Sequence, residues 1–266
     1  MTWKKFKGEK IDKENSSNIK VEFKSPKEFK FETLSVGIFG LSDTGKTHFS
    51  LTAPEPIYLI DTEGNANKVA YKFKDKEIYI CDVRVLHENE IDFIKSVELI
   101  EEATREIVGR AIEYTNETGK KGTIVIDSIT DVWSWLGIWL EEIGAERFTK
   151  SGQIMRTEWG KANRRYFKDL YRILSTDWNL VLTARVQEKY SPSGEPLGIY
   201  TGRWQKDTEH WVDVVLRAEK VDRTKRLVRL EKCRYIGDLQ FEIVNGSFND
   251  VFKKLKEKFE GGAKKK

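Results

Sequence analysis

The apolar stretch 35–39, Ser-Val-Gly-Ile-Phe, runs directly into Gly40-Leu41-Ser42-Asp43-Thr44-Gly45-Lys46-Thr47, and this junction constrains the chain more than any other feature. The eight residues fit G-x-x-x-x-G-K-[ST], a loop that wraps a polyphosphate when it follows a strand and opens a helix. Gly40 and Gly45 let the backbone curl until its N–H groups face inward, and the helix start adds partial positive charge. Lys46 is expected to reach the β- and γ-phosphates, and the Thr47 hydroxyl to ligate Mg²⁺. Gly40, Ser42, Asp43, Thr44, Gly45, Lys46, Thr47 and His48 form the expected nucleotide-binding set, with ATP and Mg²⁺ as its ligands.

The remaining pattern agrees with such a loop. Short apolar runs at 34–39, 57–60, 78–81, 123–126 and 180–183 alternate with helical periods, which predicts an α/β fold with a mostly parallel sheet flanked by helices. Phe93, Val97, Ile100, Ala103, Ile107 and Ala111 recur at helical spacing within 92–117, and Val132, Leu136, Trp139 and Ile143 do so in the next helix. Strand patterns at 212–217, 227–233 and 241–243 have no helices between them, so antiparallel strands are expected at the C-terminal end of the fold. A short amphipathic helix with Val251, Leu255 and Phe259 follows.

The formal net charge of +4 resides at the ends of the chain: residues 1–30 hold nine Lys against five acids, and the last three residues are Lys. Global charge therefore gives no argument for nucleic acid. The division expected is a basic arm over 1–30, one ATPase domain over 31–260 and a basic tail over 261–266. Cys81 and Cys233 lie in apolar, strand-like surroundings and read as buried free thiols. No apolar run approaches the ~20 residues of a membrane span, and the first residues lack a secretory pattern. The expectation is a cytoplasmic protein without a membrane partner.

Two more acidic positions bear on the chemistry. Asp127 closes the apolar run 123–126, where a carboxylate is costly unless paired; it reads as the acid that holds Mg²⁺, or else as the N-cap of the next helix. Ile60-Asp61-Thr62-Glu63-Gly64 puts two carboxylates after the second strand. Glu63 is the candidate for activating the attacking water, although spacing alone does not choose it over Asp61.

Taken together, the phosphate loop, Ile60-Asp61-Thr62-Glu63-Gly64, Ile124-Val125-Ile126-Asp127-Ser128 and Leu180-Val181-Leu182-Thr183-Ala184-Arg185 occur in an order that resembles RecA-type recombinases, the archaeal RadA branch included. The chain also resembles the small RecA-like single-strand-annealing ATPases of phages and archaeal mobile elements. The resemblance, over about 34–250, implies a RecA-like P-loop NTPase core. In it Glu63 matches the water-activating glutamate and Asp127 the Mg²⁺-associated aspartate. Arg185 falls where those proteins carry a glutamine that senses the γ-phosphate; it is either that sensor or a surface or DNA-contacting arginine.

The resemblance also implies DNA-binding loops after the fourth and fifth of these strands. Between 146 and 165 stand Arg147, Lys150, Arg156, Lys161, Arg164 and Arg165 against Glu146 and Glu158, with Phe148, Gly152 and Trp159 among them. The loop-like stretch 187–206 adds Tyr190, Tyr200, Arg203 and Trp204. Cations that track phosphates and rings that stack bases suit single-stranded DNA, and Arg147, Lys150, Arg156, Trp159, Tyr190 and Arg203 are the candidate contacts. The competing reading is a solvated helix face whose aromatics are core. Lys232 and Arg234 resemble positions from which such subunits reach a neighbour's ATP, which requires self-association into a filament or ring; otherwise they are the outer face of a strand. The expected function is Mg-dependent ATP hydrolysis acting on single-stranded DNA in recombination, repair or annealing. Alternatives are a helicase or packaging motor of the same fold, or a nucleotide-dependent assembly switch that touches no DNA.

Overall fold

Parallel strands cannot be joined by tight turns, so apolar runs separated by amphipathic stretches fold as strands with crossover helices. The computed structural model describes residues 30–263, and the expected arm over 1–30, save residue 30, and the last three lysines lie outside it. From Thr33 onward the chain forms a unit of its own.

The elements in order are β1 (Ser35–Gly40), α1 (Lys46–Leu51), β2 (Ile57–Asp61), α2 (Ala66–Ala70), β3 (Ile78–Asp82), β4 (Leu86–His87), β5 (Glu90–Ile91), α3 (Phe93–Thr118), β6 (Thr123–Asp127), α4 (Ile129–Trp139), α5 (Trp159–Leu174), β7 (Asn179–Tyr190), β8 (Pro196–Gly202), β9 (Val214–Lys220), β10 (Arg226–Cys233), β11 (Glu242–Val244) and α6 (Phe248–Ala263). The main sheet has the order β11-β10-β9-β1-β7-β6-β2-β3, with β8 attached to β7. Strands β9, β1, β7, β6, β2 and β3 are parallel. β10 runs antiparallel to β9 and β11, and β8 antiparallel to β7. The expected α/β architecture with antiparallel C-terminal strands is what forms.

Side chains alternate across the sheet. Phe39, Ile60, Ile124, Ile126, Leu180 and Leu182 enter a core with α3, α4 and α5. Val36, Ile38, Leu59, Val125 and Val181, also buried, point the other way, toward α1. α6 joins α1 through Phe248, whose ring lies 6.1 Å from that of Phe49. α3 starts where the Asp92 carboxylate accepts the Lys95 N–H and stops at Gly119, φ +67°, a conformation that glycine adopts at no steric penalty. Among the described residues no helix is long and apolar enough to cross a membrane.

Several expectations change. The segment 187–206 is a hairpin, because β7 continues past the sheet to Tyr190 and β8 returns beside it. Ser191-Pro192-Ser193-Gly194 is only its turn, with Gly194 at φ +87°. Trp204 is core: it is 7% exposed, edge-on to Phe39, and seated where a Cβ on Gly202 would lie 2.6 Å away. Ile143 leaves the apolar helix face because α4 widens into a π-turn over Leu140–Gly144, and it is 60% exposed. α6 runs on to Ala263 through the first part of the expected tail. Cys81 and Cys233 are half-buried, not buried, since β3 is the last strand of the sheet and Cys233 ends β10.

One buried charge tunes this core. Asp169 on α5 has its carboxyl pushed up to about 6, first by burial and next by Glu101 on α3, while Arg172 and Lys168 oppose the shift. An unfolded aspartate titrates near 3.8, so the unfolded chain releases this proton first and stability falls as pH rises from about 4 past 6. Asp169→Asn is expected to raise the Tm at pH 8, where the charged form costs on the order of 3 kcal/mol. The two Tm values should converge at pH 4; calorimetry at both pH values checks this.

Candidate active site

Strand order decides where a ligand fits. β1 lies between β7 and β9, and a crevice opens at the carboxyl ends of these parallel strands. The crevice is a cleft of about 750 Å³ lined by residues 40–49, Glu63, Asp127, Arg185, Arg223, Arg226 and Asn245.

Gly40 must lack a side chain, since a Cβ would lie 2.3 Å from the Ala218 carbonyl oxygen on β9. Gly45 adopts φ +89°. Between them, the backbone N–H groups of Ser42, Asp43, Thr44 and Gly45 make no hydrogen bond among the described residues. The inner carbonyls are held: Lys46 Nζ donates to the Gly40 and Leu41 oxygens at 3.1 and 2.8 Å, and Thr44 Oγ1 donates to Leu41 at 2.8 Å. Burial lowers the Lys46 pKa, while Asp127 and Glu63 oppose the shift. Ser42, Asp43 and His48 are exposed at the rim. The His48 ring lies 4.9 Å from Phe73, and burial followed by Lys72 lowers its pKa.

Asp127, at the end of β6, is 5% exposed. Its Oδ2 accepts from Thr47 Oγ1 at 2.6 Å and its Oδ1 from the Thr183 hydroxyl on β7. Burial raises its pKa, and those two hydroxyls counter the rise. The N-cap of α4 is Ser128, so Asp127 is no helix cap. An anionic and a neutral oxygen this close are the hard donors that suit Mg²⁺.

The two carboxylates of 60–64 separate cleanly. Asp61 is 1% exposed and accepts the backbone N–H groups of Glu63, Gly64 and Ala66 at 3.0, 2.7 and 3.0 Å; it builds the turn. Glu63 faces the cleft and meets Arg185 Nη2 at 3.2 Å. The same nitrogen reaches Asp131 Oδ1 at 3.0 Å. Asp131, in the first turn of α4, also accepts from Thr62 and Ser128. Arg185 is thus brought into the cleft, between two carboxylates.

The candidate DNA contacts lie apart from the cleft. Arg147, Lys150 and Arg156 are exposed on the segment before α5, and no ion pair engages them among the described residues. Their neighbours are neutralised: Lys161 pairs with Glu146 and Glu158, and Arg165 pairs with Glu101 and lies over Trp139. Trp159 is half-buried with its ring 5.8 Å from Trp133, a packing contact that withholds much of its face. Tyr190 is 59% exposed at the hairpin turn, and Arg203 is exposed where β8 ends, its N–H bonded to the Arg185 carbonyl at 2.7 Å. Lys232 and Arg234 lie at the sheet end opposite Gly40, because β10 runs antiparallel; they bond the carbonyls of Glu209 and His210.

Thr183, Asp131, Lys220 and Arg226 escape sequence reasoning. Only Thr183 carried a signal, a hydroxyl inside an apolar strand. A family model described as an AAA domain matches residues 32–237. No curated protein matches the chain.

The division of labour between the two acids is measurable. Asp61→Ala strands three N–H groups in a partly buried turn and is expected to cost roughly 2–4 kcal/mol of stability. Glu63→Ala, at an exposed carboxylate, should leave stability nearly unchanged; urea denaturation of both variants distinguishes them.

Proposed function

We propose, from the premise that this chain belongs to the AAA domain family of P-loop ATPases, that it binds and hydrolyses Mg-ATP in this cleft and acts on single-stranded DNA. The observation that carries the reading is the convergence of Lys46, Thr47, Asp127 and Glu63 on one cleft beside unpaired loop N–H groups.

The loop N–H groups and Lys46 would bind the β- and γ-phosphates and take up charge as the terminal bond lengthens. Thr47 and Asp127 would hold Mg²⁺, which when bound supplies positive charge to the same oxygens. Glu63, the carboxylate free of turn-building bonds, would orient the attacking water and accept its proton. Arg185 would hold Glu63 in place and report on the γ-phosphate from β7.

The nucleic-acid half of the reading is supported by three cations without an ion-pair partner among the described residues, Arg147, Lys150 and Arg156, and by Tyr190 on the hairpin. β7 carries Arg185 in its middle and leads to Tyr190 at its tip, so one strand joins the γ-phosphate side of the cleft to the DNA-facing hairpin. Recombination, repair or annealing of single strands fits such an arrangement. Self-association belongs to the same reading: Lys232 and Arg234 lie far from this chain's own cleft and would serve a neighbour's nucleotide.

Steady-state ATP hydrolysis, alone and with single-stranded or duplex DNA at two salt concentrations, tests the proposal. Stimulation by single strands that fades with salt is expected; hydrolysis indifferent to DNA removes the DNA half. Lys46→Ala should abolish nucleotide binding, and Glu63→Gln should keep binding and lose turnover. Replacing Arg147, Lys150 and Arg156 together should reduce the salt slope of single-strand binding by about 2, at about 0.7 per phosphate contact.

A further inference from the structure

Asp43 stands in the phosphate loop with φ +59°, a left-handed conformation that is uncommon for a residue with a Cβ, although aspartate visits it more readily than most, and that contacts from neighbouring elements can hold in place. Two cations from the strands beyond β1 do so. Lys220, ending β9, bonds Oδ2 of the carboxylate. Arg226, opening β10, grips both parts of the residue: Nε donates to the backbone oxygen at 3.0 Å and Nη2 to Oδ1 at 3.3 Å.

Arg226 is itself fixed. Its Nη1 donates to the Asp222 oxygen at 3.0 Å, its backbone N–H to Asn245 Oδ1 at 2.8 Å, and its carbonyl accepts the Asn245 N–H at 2.7 Å. The Asp222 carboxylate in turn closes the β9–β10 turn by accepting the N–H groups of Thr224 and Lys225, both at 2.7 Å. The guanidinium therefore presents a rigid anchor to the loop.

The consequence follows from peptide planarity. The bond between Asp43 and Thr44 is trans, so the Asp43 oxygen and the Thr44 N–H point in opposite directions. With the oxygen held by Arg226, the Thr44 N–H points away from the guanidinium, to the other side of the peptide. Thr44 is 5% exposed, and its N–H has no partner among the described residues. A buried, unpartnered donor awaits an acceptor.

We propose that Arg226 is a positioning residue for nucleotide binding, which holds Asp43 in its left-handed conformation and so aims the Thr44 N–H at the polyphosphate. The proposal rests on the ATP-binding reading above and adds to it a residue from outside the phosphate loop. Lys220 does not substitute, since it bonds the carboxylate alone. A lysine at 226 would keep the charge and lose the paired grip.

The test uses equilibrium binding of Mg-ATP and of inorganic tripolyphosphate, with steady-state kinetics, on the full chain. Arg226→Ala and Arg226→Lys are each expected to weaken both ligands about tenfold, the equivalent of ~1.4 kcal/mol, raising KM while kcat holds. Glycine adopts positive φ freely, so adding Asp43→Gly to Arg226→Ala should restore both affinities, a rescue that a purely electrostatic role would not give. Circular dichroism of each variant confirms that it is folded. Wild-type affinity in Arg226→Ala overturns the proposal. Loss of ATP binding with tripolyphosphate binding intact and no rescue by glycine also overturns it, because Arg226 would then touch the nucleoside directly. If the wild-type protein binds neither ligand, the ATP-binding reading itself falls and takes this proposal with it.

Discussion

The buried carboxylate of Asp127 is the interaction on which the rest of the cleft depends. An uncompensated buried ion costs several kcal/mol, and hydrogen bonds to a charged group return about 1.5–3 kcal/mol each. Asp127 has two such bonds, from Thr47 and Thr183, and burial still wins, for its pKa stays raised. Each bond comes from a different element: Thr47 from the start of α1, Thr183 from β7. The carboxylate therefore ties β6 to β7 and to the loop after β1. The Thr183 hydroxyl stands beside Asp127 because β6 and β7 pair in parallel with Ile126 opposite Leu182, so the next residue of each strand meets its counterpart.

Parallel pairing carries that constraint outward. Gly40 on β1 is in register with Arg185 on β7 and with Ala218 on β9. The loop thus emerges between two strands whose next residues are fixed to within a pleat. On one side the register delivers Arg185 to Glu63 and Asp131; on the other it delivers Lys220, and through the hairpin Arg226, to Asp43. Even the glycine that starts the loop is dictated by this packing, because the Ala218 carbonyl occupies the space of a side chain.

What the sequence makes legible is what local chemistry forces. A polyphosphate loop needs its glycines and lysine at fixed spacing, and an acid at the end of an apolar strand stands out because burial there demands a reason. The strands and the long helix are readable because their periods last for several turns or residues. Strand order is not readable, and the misplacements follow from that. Trp204 reads as a loop aromatic until Gly37 and Gly202 are seen to leave room beneath it. The hairpin of β7 and β8 reads as a loop because its arms past Ala184 are largely solvent-exposed and Ser191-Pro192-Ser193-Gly194 interrupts them. Asp61 and Glu63 are separated only by where the N–H groups of 63–66 point. Asp131 and Arg226 act across 54 and 183 residues of sequence respectively, and no local pattern encodes a partner that distant.

The charges of the cleft explain why an anion would need more than attraction to enter it. The wall carries Lys46, Lys72, Arg185, Arg223 and Arg226 against Asp43, Glu63 and Asp127, a modest positive excess, and several of these charges are already spoken for. Arg185 is held by Glu63 and Asp131, and Arg226 by Asp43. Such pre-paired cations attract a passing anion weakly, so selectivity must come from directed donors: the loop N–H groups that have no partner among the described residues. On the proposed reading, a triphosphate brings more negative charge than the free excess neutralises. The oxygens of Thr47 and Asp127 are where a divalent cation would make up the difference, and in doing so it would relieve a buried carboxylate that the protein's own hydrogen bonds leave undercompensated.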